Sequence, residues 1–168
     1  MREIAYYEAK FEALHEIMAA DPTVHLMNGT FLSLSPHRHV YQELAKKYGD
    51  RIMSPPISEL GFCGLATGAA MAGLRPIVDI STGSFIFEGW PQVANEAANA
   101  FSMSGGQTRV PVVFHLFHGL RGGGAAQHSA SPQAMLWNNP GLEIVLPSSP
   151  RDVKGLLKSA VASDITRL

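Results

Sequence analysis

A serine and a glutamate stand directly before a helix that is unusually rich in glycine. Ser58 and Glu59 follow two prolines, and the predicted helix carries Gly61, Gly64 and Gly68. A plain interpretation makes Ser58 the N-cap and places Glu59 in the first turn, where the helix dipole favours an anion. The same position also suits a carboxyl group that exchanges a proton with a ligand. The spacing alone leaves both interpretations open.

The three glycines give that helix one face without side chains. Each interior glycine destabilises a helix by about 1 kcal/mol relative to alanine, so the three together oppose helix formation by about 3 kcal/mol. They lie three and four residues apart and therefore share a face, which Ala69 and Ala72 widen. Such a face lets another backbone or a flat ligand approach closely. Close helix packing, including packing across a dimer interface, explains the glycines without a ligand.

Histidines supply the second set of candidate groups. His128 follows the glycine-rich stretch 122–126, which lacks the Gly-Lys-Ser/Thr ending of a phosphate loop. The ordinary pKa of histidine, ~6.5, suits proton exchange at neutral pH, and a solvated loop histidine is the plain alternative. His115 and His118 have the spacing of half a metal site, but residues three apart on a strand point to opposite sides. We therefore expect no metal there, and we expect His37 and His39 at the surface or at an interface.

Aromatic residues follow the end of a predicted strand. Phe85, Phe87 and Trp90 come just after the turn at residues 81–84. They fit a core, and they equally fit the wall of a site for a flat heterocycle, because ring stacking adds about 0.5–1.5 kcal/mol beyond burial.

Helical and strand patterns alternate along the chain. Helices are predicted over residues 2–20, 40–48, 58–73, 87–103 and 151–162, and strands over residues 24–27, 52–53, 76–80, 111–116 and 142–146. This alternation is typical of an α/β protein with a parallel sheet covered on both faces. In such proteins the chemistry collects in loops beyond the carboxyl ends of the strands. The loops at 54–60, 81–88 and 115–131 are therefore the first candidates for a site.

Composition narrows the class of protein and its partners. A chain of 168 residues favours one domain. Its net charge of −1 argues against nucleic acid or a membrane surface as the main partner. Charged residues make up only 16%, against a usual level of about 25%, which suggests surface covered by another subunit. One cysteine, Cys63, and the absence of a signal-like apolar run predict a soluble, cytoplasmic protein.

Five separate blocks carry a family resemblance over nearly the whole chain. In order and in register, they are residues 56–62, 68–76, 103–107, 126–129 and 152–157. Together they closely resemble the beta subunit of thiamine-diphosphate-dependent 2-oxo acid dehydrogenases of the pyruvate, acetoin and branched-chain type. Within that subunit they match the transketolase-like pyrimidine-binding domain. The resemblance implies the corresponding fold, a mostly parallel sheet with helices on both faces.

The resemblance also assigns roles to individual residues. It implies that Glu59 hydrogen-bonds a ring nitrogen of the cofactor's aminopyrimidine and that Phe85 packs against that ring. It places His128 near the substrate, so that Glu59 and His128 are the expected catalytic residues. Ile57, Glu59, Leu60 and Phe85 are the expected cofactor contacts. Burial of Glu59 against Leu60 would disfavour its charged form and so assist proton sharing.

The implied reaction needs partners. In the family a 2-oxo acid is decarboxylated and its acyl unit passes to a lipoyl group on a second component. The diphosphate and Mg²⁺ are held by an alpha subunit with a Gly-Asp-Gly motif, which this sequence lacks. The chain is thus expected to form half of each active site in an α2β2 assembly. Self-association through the helix with Gly61, Gly64 and Gly68 is also expected.

Three departures from the family pattern keep other functions open. The family's carboxyl-terminal domain is absent from residues 1–168, and its Gly-Glu pair after the first strand is replaced by residues 27–30, with Gly29 in place of the second carboxylate. The region 81–91 also differs from the pyruvate-type pattern. One alternative is another transketolase-like decarboxylation or ketol transfer. The other is a non-catalytic assembly module of the same fold.

Overall fold

Four parallel strands form the sheet of the computed structural model, which describes residues 3–28, 35–119 and 124–166. Within these residues the order across the sheet is β2-β1-β3-β4. The strands are β1 (Val24–Met27), β2 (Ile52–Met53), β3 (Arg75–Thr82) and β4 (Val113–Phe117). Every neighbouring pair is parallel, which requires the crossover connections that the helices supply. The predicted α/β class is confirmed.

Helices cover both faces of this sheet. They are α1 (Tyr6–Ala20), α2 (Arg38–Tyr48), α3 (Glu59–Met71), α4 (Ile86–Trp90), a π-helix (Pro91–Ala97), α5 (Ala100–Met103), α6 (Gln133–Trp137) and α7 (Pro150–Ala162). Among the described residues, no helix combines the length and the apolar character that a bilayer crossing demands.

Alternation along the strands divides the core into two layers. One layer contains residues of α1, α2 and α7, and the other contains residues of α3, α4 and the π-helix. Neighbouring strand residues enter opposite layers, as the pleat requires: Leu26, Ile77 and Val113 join the first, and Met27, Val78 and Phe114 join the second. Because β3 and β4 are parallel neighbours in the sheet, their carboxyl ends lie side by side.

Two predicted elements differ from the structure. The strand predicted over 142–146 is wrong: the Glu143 N–H bonds the Thr166 carbonyl at 3.1 Å, but no ladder forms there. Its apolar residues instead pack on the second core layer, as Ile144 does. The helix predicted over 87–103 is broken into three pieces, because Pro91 has no N–H and its ring excludes a regular α-turn.

Candidate functional site

The first candidate group lies where α3 begins. The Ser58 hydroxyl accepts the Gly61 N–H at 3.2 Å, so the predicted N-cap is present. Glu59 occupies the first turn and is half-buried, between Ile57, 58% exposed, and Leu60, 47% exposed. Glu59 is therefore only partly enclosed by the described chain. Among the described residues, none donates a hydrogen bond to the Glu59 carboxylate.

The glycines near Glu59 divide between two kinds of surroundings. A Cβ on Gly64 would lie 3.0 Å from Oε1 of Gln92, and a Cβ on Gly89 would lie 3.3 Å from the Glu59 carbonyl oxygen. These two glycines let α3 pack closely on α4 and the π-helix of the same chain. A Cβ on Gly68 would meet nothing within 4 Å. Packing within the described chain therefore explains Gly64 but leaves Gly68 unexplained.

The second candidate group joins two loops that are distant in sequence. A 3-10 turn, Gly83–Phe85, follows β3. The Phe85 ring meets the His128 ring edge to face, with centroids 5.2 Å apart. The Ser84 hydroxyl donates to the carbonyl of Gln127, which ties the same two loops together. A Cβ on Gly83 would lie 3.0 Å from the Phe117 carbonyl oxygen, so a glycine is needed for this close approach.

A cleft of about 750 Å³ opens beside Phe85 and His128. It lies between the start of α1, the start of α2 and the carboxyl ends of β3 and β4. Six aromatic rings line it: Tyr6, Tyr7, Phe11, Tyr41, Phe85 and Phe117. Glu59, Ile57 and Leu60 are not part of this lining. Helix α4 connects the two groups, because it begins directly after Phe85 and its Gly89 touches the Glu59 backbone.

A buried polar network that the sequence analysis missed forms the floor of this cleft. The Lys10 ammonium group is hydrogen-bonded to the Tyr41 hydroxyl at 3.0 Å and donates to the Asp79 carboxylate. It also lies 3.4 Å from Nδ1 of His115. Lys10 is only 5% exposed. A sequence signal existed, since Lys10 shares the apolar face of α1 with Leu14, and Asp79 interrupts an apolar strand.

Burial and charge set the ionisation states of this network. Burial alone would raise the pKa of Asp79, but the Lys10 ammonium and His115 outweigh it and hold that pKa well below its usual value. Burial, aided by the charge of Lys10, lowers the pKa of His115. Burial and the negative charge of Asp79 raise the pKa of Tyr41 well above its usual value. At neutral pH the network thus contains one cation, one anion and two neutral groups.

Two of the remaining candidate histidines, His37 and His118, also line the cleft. His115 faces Asp79, whereas His118 is exposed, with its Nδ1 2.8 Å from the Gln133 side-chain nitrogen. In the three described stretches, no group of three or more His, Cys, Asp or Glu side chains is arranged to hold a metal ion. His37 stacks on Tyr7 with centroids 4.5 Å apart. Gly29, expected in place of a second carboxylate, and residues 122 and 123 lie outside the described residues.

Comparison with known proteins identifies the domain. The family model for the transketolase pyrimidine-binding domain matches residues 2–167. The chain is 43% identical over 160 residues to the mitochondrial pyruvate dehydrogenase E1 component subunit beta of Bos taurus, a match covering 95% of this chain and 45% of that protein. The Homo sapiens protein is 42% identical over 160 residues, with the same two coverages. The chain thus spans about half the length of the curated relatives it matches.

Solved structures show the same fold. One of them is a split-gene transketolase, described as an inactive beta4 tetramer. It superposes with a TM-score of 0.79 at 20% identity, and the match covers 99% of this chain and 50% of the transketolase chain. Transketolase from Leishmania mexicana superposes with a TM-score of 0.77 at 18% identity. The match covers 95% of this chain and 24% of that transketolase chain. At these identities the likeness concerns the fold alone.

The names of the relatives overturn one expectation. The Bos taurus, Homo sapiens and Caenorhabditis elegans relatives are named as mitochondrial proteins, so the predicted cytoplasmic location is wrong. Low cysteine content does not distinguish one reducing compartment from another. The match over residues 2–167 and the shared fold agree, and the chain belongs to the transketolase pyrimidine-binding domain family.

Proposed function

We propose that this chain is the pyrimidine-binding half of a thiamine-diphosphate-dependent 2-oxo acid dehydrogenase. The observation that carries the proposal is the Glu59 carboxylate, which has no hydrogen-bond donor among the described residues. It stands at the start of α3 between the exposed side chains of Ile57 and Leu60. A structural carboxylate at a helix start normally bonds its own backbone or a nearby cation. Glu59 is partly buried in the first turn of α3 and has no such partner among the described residues.

These residues fit an aminopyrimidine ring. The ring is flat and apolar on its faces and carries nitrogen atoms at its edge, so it needs apolar contacts together with one partner able to hold a proton. Ile57, Leu60 and Phe85 supply the apolar contacts in the proposal, and Glu59 shares a proton with a ring nitrogen. Aspartate, one methylene shorter, would not reach that nitrogen. When bound, thiamine diphosphate supplies the nucleophilic carbon and the electron sink.

His128 acts on the substrate side in this proposal. It is held against Phe85, and both side chains line the aromatic cleft. A 2-oxo acid in the cleft would place its side chain among the rings, with the His128 imidazole available to exchange a proton. The position of His128 on one wall of the cleft, away from Glu59, separates the substrate role from the cofactor role.

The rest of the active site would come from a partner. The sequence lacks the Gly-Asp-Gly motif by which the alpha subunit of the family holds Mg²⁺ and the diphosphate. We propose an alpha subunit in this role, an α2β2 assembly, and acyl transfer to a lipoyl group on a further component. Residues 1–168 would then act as the pyrimidine-binding domain of the beta side.

Isothermal titration calorimetry tests the shared site. We expect thiamine diphosphate with Mg²⁺ to bind tightly to the chain combined with its alpha partner. The chain alone should bind weakly, because in this proposal the partner holds the diphosphate and Mg²⁺. Sub-micromolar binding by the chain alone would contradict the shared site. Release of CO₂ without acylation of a lipoyl acceptor would instead favour a simple decarboxylase.

We also propose that the outer face of α3 is an interface between subunits. The helix carries no charged residue after Glu59, and Leu60, Leu65 and Met71 are each more than 40% exposed. Gly68 lies among them with open space around it. A face of this kind is typical of a surface that another chain covers.

Paired glycine substitutions test this interface. Gly155 on α7 is also exposed and also has open space around a Cβ, so it is a matched control. We expect Gly155→Gln to leave assembly unchanged and Gly68→Gln to weaken it at least tenfold, measured by analytical ultracentrifugation. Either substitution alone should favour the helix by about 0.4–1 kcal/mol in the dissociated chain. Equal assembly by the two variants would show that this face of α3 is not part of an interface.

A further inference from the structure

The end of β3 is irregular at the point where it enters the site. The register with β4 shifts between Asp79 and Ser81, so the strand contains a bulge. Ser81 has φ of 68°, a left-handed conformation that side-chain-bearing residues adopt only when their surroundings enforce it. Ser81 is also part of the cleft lining. A strained residue inside a functional cleft points to a functional constraint.

Two side chains hold this bulge in place. Oδ1 of Asp79 accepts the Ser81 N–H at 2.8 Å, and the Asn28 side-chain amide donates to the Asp79 carbonyl. The other oxygen of the Asp79 carboxylate accepts from Lys10 and from the Tyr41 hydroxyl at 3.0 Å. The carboxylate therefore connects α1 and α2 to the backbone of Ser81.

The conformation at Ser81 determines where the following turn points. Gly83–Phe85 begins two residues later, and Ser84 binds the loop that carries His128. The Phe85 ring in turn contacts the His128 ring of that loop edge to face. A change of φ at Ser81 would redirect the turn and separate the two rings.

We propose that Asp79 is a positioning residue for Phe85 and His128: Lys10 fixes its carboxylate, which fixes Ser81 and thereby places both rings at the cleft. This inference rests on the proposed function of Phe85 and His128. The inference gives the buried pair of Lys10 and Asp79 a role at the aromatic cleft. That role requires no contact between the pair and a substrate.

Two matched double variants separate positioning from charge. Lys10→Met/Asp79→Asn and Lys10→Met/Asp79→Leu both remove the buried charges, but only asparagine keeps an oxygen for the Ser81 N–H. The readout is the ¹H–¹³C signal of the His128 ring in the full chain with labelled histidine. This signal reports the ring current of Phe85, and Phe85→Leu gives the value without it. We expect the asparagine variant to keep the wild-type signal and the leucine variant to move to the Phe85→Leu value.

A third substitution supplies the rescue. Adding Ser81→Gly to the leucine variant should restore the wild-type His128 signal, because glycine adopts positive φ without the Asp79 bond. A wild-type signal in the leucine variant, or no restoration by Ser81→Gly, would overturn the inference. If the double variants do not fold, Ser81→Pro tests it with Asp79 intact, since proline has no N–H and cannot adopt φ of +68°. An unchanged His128 signal in Ser81→Pro would then overturn it.

The readout also separates this inference from the proposed function. The His128 signal does not depend on catalysis. If it responds as expected while Phe85→Leu leaves the activity of the assembled enzyme unchanged, the positioning role of Asp79 stands and the proposed role of Phe85 fails.

Discussion

We expect Glu59→Gln to lower the rate of 2-oxo acid decarboxylation by the proposed assembled enzyme about 10²–10⁴-fold, the usual contribution of a positioned proton-transfer group. Glutamine keeps the size and polarity of the side chain but cannot share a proton with a ring nitrogen. The rate should be measured with saturating cofactor, so that weaker binding does not imitate loss of catalysis.

The control for this substitution lies on the neighbouring helix. Glu88 is exposed in the first turn of α4, as Glu59 is placed in the first turn of α3. Glu88→Gln should keep wild-type activity, and both variants should unfold within about 1 kcal/mol of wild type, because each loses only an interaction with a helix dipole. Equal decarboxylation by Glu59→Gln and the wild-type protein would refute the proposed role of Glu59.

Lys10→Met should destabilise the chain by about 3–5 kcal/mol, because it leaves the Asp79 carboxylate buried without its cation. Urea denaturation at pH 7 measures this change. Lys10→Met/Asp79→Leu should recover part of the loss, since it removes the unpaired buried charge but also gives up the Asp79 bond to the Ser81 N–H. A loss below 1 kcal/mol for Lys10→Met would show that the pair is not buried as described.

The pH dependence of this variant has a defined sign. The folded-state pKa of Asp79 lies below the ordinary value of 3.8, so its contribution to stability is present above that value and disappears as pH falls below about 4. In Lys10→Met the unpaired, buried carboxyl has a raised pKa instead, and protonation stabilises the folded state. The difference in stability between the two proteins should therefore shrink as the pH falls.

Much of the fold followed from local patterns in the sequence. The alternation of apolar runs predicted β1, β2, β3 and β4 with small shifts of their ends, and Ser58 predicted the start of α3. The run at 142–146 failed because a strand also needs a neighbouring backbone, which an apolar pattern does not specify. The helix predicted over 87–103 failed at Pro91, because proline has no N–H for the hydrogen bond of a regular α-turn.

The site was less predictable because it depends on contacts across the chain. The family resemblance selected Phe85 and His128, and the structure brings them together through Ser84. The Lys10–Asp79 pair joins residues 69 positions apart, so no local pattern reveals it. The sequence shows only a lysine on the apolar face of α1 and an aspartate within the apolar run of β3. Ser81 gave no signal, because serine does not favour positive φ.

The neutral floor of the cleft bears on which 2-oxo acids the proposed enzyme would accept. Lys10 donates to Tyr41 and Asp79 and lies beside His115, so its charge is already paired with the Asp79 carboxylate. A dicarboxylic 2-oxo acid would lose its hydration there without gaining a counterion. Selection would then depend on how well an uncharged, branched or aromatic tail fills the ring-lined space, and acidic tails would be turned away.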